Sequence, residues 1–395
     1  MNSSVKSQLF WVRALGFALS VSFMTWGPRL PELKDQLNLS VVQLGQIFMV
    51  VGLVGLIFSK FNSWLLINLG SRKMIFLAVP VGILGNILVA TSSSVWQFAI
   101  GLGFCSLASF ITNTAAITQA NNIRLVSGID PQATLAAISN IGSLAAMLLG
   151  AALLKAVAPV PYIIGLSVIA SFALTMAGSK LSAVDLHEEA HAQDSSLVKM
   201  PWFGKGTGVF WVMVLTVFAS TTAEFAVSDW GAILARDSFA IPGPFYLLPF
   251  VVFQAGIVTA RFVTDHLGAR YGIARFVRWS TCSAATVWIL CLISAALLAD
   301  SGPWIRLAII LIGFAAGGWG VGPIWPVFIS AINKGKYPPS VVLPRFFSFV
   351  SLAFVLGPGL LGQLANWLTL PFALVVAAGM LFLAGVQSRK RILAG

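Results

Sequence analysis

The chain has 395 residues, of which 58% are hydrophobic and only 9% charged, with a mean hydropathy of +0.92. A soluble domain could not keep that much apolar surface from water, which excludes a soluble enzyme or binding module. The net charge of +12 would suit a nucleic-acid partner, but the placement of the charges points elsewhere.

A bilayer core about 30 Å thick needs roughly 20 apolar residues per helical span. In chain order such spans fall at about 10–30, 41–66, 73–93, 95–121, 132–155 and 159–179. A second set follows at about 208–235, 243–264, 273–299, 304–332, 343–366 and 370–387. The expected fold is all-α: a polytopic membrane protein with twelve transmembrane helices in two pseudo-symmetric six-helix bundles. The bundles take residues 1–180 and 208–395, with a polar linker over 181–207. The first apolar segment is too long for a signal-peptide core and lacks a clear small-residue cleavage site, so it is expected to stay as a helix. Gly45, Gly52 and Gly55 in span 2, with Gly142 and Gly150 in span 5, let helices approach closely. Pro323 and Pro326 predict a kink in span 10, and Gly357-Pro358-Gly359 predicts a break in span 11.

With these spans, most of the Lys and Arg gather on one side, Lys6, Arg13, Arg72, Lys73, Arg124, Arg275, Arg278 and Arg345 among them. The opposite side keeps only Arg29, Lys34, Lys155, Arg236 and Arg306. The positive-inside rule makes the crowded face cytoplasmic, with both termini inside, in an inner (plasma) membrane. The basic charge therefore reflects topology and the lipid bilayer, with no nucleic-acid partner. Cys105, Cys282 and Cys291 all lie in predicted spans, so no disulfide framework is expected.

The halves echo each other: Leu69-Gly70-Ser71-Arg72 after span 2 recurs as Leu267-Gly268-Ala269-Arg270 after span 8. Duplicated helical halves are common in secondary transporters, with the site at the midplane. The two turns resemble the loop signature of the major facilitator superfamily, and the second copy, Arg261-Phe262-Val263-Thr264-Asp265-His266-Leu267-Gly268-Ala269-Arg270, is the better match. The first has Ile67 where the pattern expects its acid and Ser63 where it expects the leading glycine. The resemblance implies a conformational latch, here Asp265 with Arg261 or Arg270, and Arg72 in the first copy; alternatively these charges anchor helix ends in headgroups. Glu224 to Trp230, Gly317 to Pro326 and Gly357 to Gly362 further resemble segments of the fucose-permease-related family, especially its YbjJ-like branch. That resemblance implies sugar-like or cyclitol-like cargo. Fucose-type permeases also carry an acid in helix 4; if Asn113 matches their Asn, that position here is Ser109, so their proton site is not carried over.

Of the twelve acids only Glu224 and Asp229 lie well within an apolar span. An ionised carboxylate at that depth costs at least about 2.5–3.5 kcal/mol, so such residues usually face water and act. A carboxyl that holds a proton when occluded and releases it when wet can couple transport to a proton gradient, and Glu224 is the first candidate, with Asp229 nearer the outer end. The alternative is a neutral Glu224 bonded to Thr221, Thr222 or Ser228 that only packs the bundle. For the substrate, Asn113, Gln119, Asn140, Gln254 and Gln363 offer amides at depth, suited to hydroxyl-bearing solutes. Trp319 and Trp325 offer aromatic faces against sugar C–H groups. Helix–helix hydrogen bonding and plain packing remain the alternative for each.

His187-Glu188-Glu189-Ala190-His191 satisfies the H-E-x-x-H zinc-protease pattern, but it lies in the polar linker, with no apolar face to build a cleft. No metal site, catalytic residue or cofactor is expected, and no G-x-x-x-x-G-K loop supports ATP drive. The chain reads as a secondary carrier, not an enzyme, moving a small polar solute with protons and working as a monomeric unit. A proton-driven exporter of drugs or metabolites is the second reading.

Overall fold

A computed structural model describes residues 3–129, 131–185, 207–298, 300–333, 339–389 and 392. Among these every regular element is helical. The first half holds α1 (Ser3–Phe23), α2 (Leu30–Gln36), α3 (Val41–Leu69), α4 (Ser71–Ala90), α5 (Val95–Ser127), α6 (Gln132–Ala152) and α7 (Pro159–Lys180). The second holds α8 (Gly208–Ile233), α9 (Leu248–Tyr271), α10 (Ile273–Leu297), α11 (Pro303–Val321) and α12 (Ile324–Asn333). It ends with α13 (Pro339–Val350), α14 (Leu352–Leu368) and α15 (Leu370–Gln387). Twelve helical stretches are long and apolar enough to cross a membrane, the number expected. Their outward faces are apolar too: Ile57, Ile169, Phe172, Leu290 and Ile312 are all exposed, a pattern suited to lipid rather than water.

The chain divides into two compact units, Met1–Ser40 with Val50–Glu188, and Val41–Met49 with Glu189–Gly395. The core of the first unit is built by α1, α4, α5 and α7, with Val12, Leu15, Met74, Ile75, Ala115 and Ala177 fully buried. At the start of α7 a single cation braces this unit. Arg29 is 1% exposed; its Nη1 donates to Leu154 O at 2.9 Å, and its Nη2 to Leu153 O at 3.0 Å and Val157 O at 2.7 Å. Nη1 also meets Glu32 at 3.1 Å, and the guanidinium lies 4.9 Å from the centroid of the Tyr162 ring. Leu153 O also accepts from the backbone N–H groups of Ala156 and Val157; the buried guanidinium adds donors for Leu154 and Val157 just past the end of α6 and opposes the negative end of the helix dipole.

In the second unit Trp288 sits between Phe253 and Phe314, at 5.8 and 5.7 Å between centroids. Helices α9 and α11 cross beside it at backbone distance: a Cβ at Gly318 would collide with the Phe253 carbonyl, and one at Gly256 with that of Ala315.

Three local features differ from the sequence expectation. The first nine residues of α3 pack in the second unit, where Phe48 meets Trp230 edge-on at 6.1 Å and Gly45 lies against Gly362. Span 11 is not broken at Gly357-Pro358-Gly359; α14 runs through Pro358, and the interruption lies at Ser351. Membrane helices tolerate a proline because neighbouring groups re-satisfy the freed carbonyl. The third concerns the repeated turn. Gly70 ends α3 at φ 77°, but its counterpart is Gly272 at φ 83°, one turn beyond Gly268, which stays helical and buried against Ile273. The linker motif His187 to His191 lies outside the described residues.

Candidate functional site

The unusual chemistry of the second unit gathers on α8. At 100° per residue, Glu224, Phe225, Ser228 and Asp229 share its half-exposed side, while Ala223, Ala226, Val227 and Trp230 are fully buried on the other. The sequence here is mostly small or apolar, so the helix forms readily and leaves the two acids on one open flank. Asp229 makes no hydrogen bond or ion pair among the described residues, and Glu224 accepts only on its backbone, from Ser228 Oγ at 3.2 Å. Arg261 is carried by α9, a helix that packs against α8.

Opposite this flank is the break between α11 and α12, which follows directly from the sequence. Pro326 has no N–H, so it cannot donate to the carbonyl of Gly322 four residues earlier. Arg261 Nε occupies that acceptor instead, at 3.4 Å. One turn on, Trp325 donates through Nε1 to Thr221 Oγ1 at 3.2 Å. Thr221 lies three residues before Glu224, on the neighbouring turn of α8. The Trp325 ring stacks on Phe347 at 6.0 Å and 20° and meets Phe346 edge-on at 6.4 Å. An acid, a cation and an aromatic face therefore converge here. Gln254, a further α9 residue, buries its Oε1 without a partner among the described residues, and Trp319 is half-buried at the end of α11. Gln363 on α14 is half-buried and makes no hydrogen bond among the described residues.

In the first unit the proposed contacts separate. Asn113 is exposed on α5 without a hydrogen bond among the described residues, and Asn140 on α6 has a buried amide nitrogen without a partner. Ser109 lines a small cavity with Ser22, Asn86, Thr112 and Ser171. Gln119 is committed elsewhere: its Nε2 donates to Ser71 Oγ at 2.7 Å and to Ser182 O at 2.9 Å. With its amide nitrogen so engaged, it serves to tie the end of α7 to the start of α4.

That same tie contains a residue that carries no signal in the sequence. Asp185 accepts from Ser71 N at 2.6 Å, from Ser71 Oγ at 2.5 Å and from Asn122 Nδ2 at 3.1 Å. A carboxylate on the first N–H groups of a helix is favoured by the helix dipole. The loop after α3 lacks its acid at Ile67, and an acid from beyond α7 meets the start of α4 instead. Arg72 Nη2 donates to Ser179 O at 2.7 Å. The proposed second latch is not closed here: Asp265 is exposed and pairs with neither Arg261 nor Arg270 among the described residues. Arg270 lies over the Tyr271 ring at 5.3 Å, and Arg261 is turned to Gly322. Asp265 is four residues from Arg261 on one helix, but the orphaned carbonyl offers Arg261 a fixed acceptor on α11.

The family model of the Major Facilitator Superfamily matches residues 15–338. The chain belongs to that superfamily. It is thus a multi-pass membrane transporter, not an enzyme. Among solved structures it is similar to the nucleoside transporter NupG. A point-mutant form aligns with a TM-score of 0.73 at 12% identity, covering 96% of this chain and 98% of that one. A second NupG structure aligns with a TM-score of 0.69 at 14% identity, covering 98% of each. These likenesses carry the fold of the superfamily. No curated protein matches the chain.

Proposed function

We propose that this superfamily member is a secondary active transporter that moves a small, hydroxyl-bearing polar solute by alternating access, coupled to protons through Glu224. The observation that carries the reading is that Arg261 and the Thr221–Trp325 pair, one turn from Glu224, meet at a broken helix in one unit. Acids within membrane helices mark ion pathways by default, and broken helices frame the sites of many carriers. Trp325 and Trp319 supply aromatic faces, and the amides of Gln254, Asn140, Asn113 and Gln363, unbonded among the described residues, supply hydroxyl partners. Asp229 is assigned to the entrance of the same proton path. The Arg72, Asp265 and Arg270 loops act as the latch of a different conformation. The resemblance to the fucose-permease-related, YbjJ-like branch supports sugar-like or cyclitol-like cargo. The chain is placed in the inner membrane with both termini cytoplasmic, working as a monomer.

The test is solid-supported-membrane current from purified protein in proteoliposomes, against sugars, cyclitols, nucleosides, amino acids and lipophilic cations. Nucleosides join the panel because they combine a hydroxylated ring with a flat base, which would suit the Trp325–Phe347 stack. A solute-evoked current that disappears in Glu224→Gln, while solute exchange persists, supports the reading. Accumulation unchanged in Glu224→Gln removes the coupling role. Currents with lipophilic cations alone assign the protein as a proton-driven exporter.

A further inference from the structure

Two side chains tie the α11–α12 break to its neighbours, Arg261 to α9 and Trp325 to the turn of α8 beside Glu224. Arg261 on α9 donates to the Gly322 carbonyl at the α11–α12 break, and α9 packs against α8, which carries the acid. Trp325 on α12 donates to Thr221 on α8, one turn from Glu224. Two of these links are ordinary hydrogen bonds, and one of them is weak. The Arg261 Nε to Gly322 O distance of 3.4 Å is at the long end of the range for an N–H donor. The guanidinium makes no other hydrogen bond among the described residues, so its remaining donors are uncommitted.

We propose that Arg261 is a positioning residue that passes the charge state of Glu224 to the α11–α12 break by exchanging the Gly322 carbonyl for the carboxylate. The inference rests on the reading of Glu224 as the proton carrier. With Glu224 neutral, the strongest acceptor offered to Arg261 is the carbonyl that Pro326 leaves without a donor, and the break is held as it stands here. With Glu224 ionised, the carboxylate is a charge-assisted acceptor and outcompetes a neutral carbonyl. Arg261 then leaves Gly322, whose buried carbonyl has no helix donor to fall back on, and the break must repack. Trp325, hydrogen-bonded to the turn beside Glu224, moves with it. The direction is fixed by this logic: acid conditions hold the break, and alkaline conditions release it.

The other charged groups near α8 do not substitute for Arg261. Asp265, His266 and Arg270 lie beyond Arg261 toward the far end of α9, Arg306 lies near the start of α11, and Arg345 is on α13. Arg236 is paired with Asp237 at 2.7 Å just past the end of α8. Asp229 carries the same sign as Glu224 and lies five residues further along α8. Helices α12, α14 and α15 contribute no charged side chain.

The test places spin labels on α11 and α12, at the exposed positions Ile312 and Ser330, in a background lacking the three native cysteines. Their separation across the break is measured in lipid nanodiscs at acid and alkaline pH. In parallel, infrared difference spectra between the two buffers, compared with Glu224→Gln, report whether the Glu224 carboxyl titrates. The expected result is a distance shift in the parent protein that is absent in Glu224→Gln and in Arg261→Gln, and retained in Arg261→Lys. Arg261→Lys guards against a misfolded glutamine variant, since it keeps the charge and a donor. If the Glu224 band titrates and the distance shift survives in Arg261→Gln, or is lost in Arg261→Lys while that variant stays folded, the role of Arg261 is overturned and proton coupling stands. If no carboxyl band is assignable to Glu224, the coupling reading falls and takes this proposal with it.

Discussion

Arg29 offers the sharpest energetic test, because its replacement by methionine keeps the side-chain bulk and removes everything else. In the folded protein its guanidinium donates to three backbone carbonyls just past the end of α6 and meets Glu32, at 1% exposure. Methionine leaves the Leu154 and Val157 carbonyls without the donor they have here, while Leu153 O keeps its backbone donors, at about 1–3 kcal/mol for each group that stays buried and unsatisfied. Relaxation and water entry at the helix end recover part of this, which brings the net cost to about 3–5 kcal/mol, the usual cost of breaking a buried charged network. For a unit of this size each kcal/mol moves Tm by about 2–4 °C, so the loss is about 10 °C. Lysine should recover only part, since a point donor cannot reach three carbonyls as a planar fork does. The assay is thermal unfolding of detergent-purified protein followed by size exclusion, with Lys155→Ala as a control for charge alone, because Lys155 is exposed. A shift of less than about 2 °C in Arg29→Met would show that the helix end is hydrated and that the brace does not stabilise the unit.

Two further outcomes follow from the geometry. Asp185→Ala removes the acceptor at the start of α4, and hydrogen bonds to a charged group contribute about 1.5–3 kcal/mol each. Amide exchange at Ser71 should accelerate by about tenfold to a hundredfold, since 1.4 kcal/mol is a factor of ten; unchanged protection would show that the carboxylate does not hold the helix start. Gly318→Ala forces a Cβ into the Phe253 carbonyl, an overpacking cost of about 1–3 kcal/mol, and should lower Tm clearly. Gly302→Ala, which meets nothing within 4 Å, should leave it unchanged; equal behaviour of the two would refute the close crossing.

What was legible in the sequence divides by physical cause. The twelve spans are readable because a bilayer imposes one length and one polarity on every crossing, whatever packs against it. The isolation of Glu224 and Asp229 is readable for the same reason, since any charge stands out against an apolar run. The break at Gly322–Pro323 follows from local chemistry that needs no neighbour. By contrast, the continuity of α14 through Pro358 depends on what replaces one lost hydrogen bond, and that is a property of the surroundings. Gln119 resembles a substrate ligand in sequence because amides at depth are rare; only the fold shows Ser71 and Ser182 taking its donors.

Asp185 and Arg261 make the same point from the side of function. Asp185 lies in a polar linker, where an acid carries no signal, and it acquires one only when α7 returns beside α4. The absent acid at Ile67 is the available clue: a loop that needs a negative charge at a helix start and lacks one in sequence must find it in space. Arg261 carries a clue of the same kind. Its spacing along α9 suggests Asp265 as the partner, whereas Pro326 leaves a carbonyl on another helix without a donor. Orphaned backbone groups created by proline can be counted from sequence, and in a membrane each must be met by a donor the chain contains. Arg261 is the cation that meets the Gly322 carbonyl. That pairing leaves Asp265 exposed and without Arg261 as its partner.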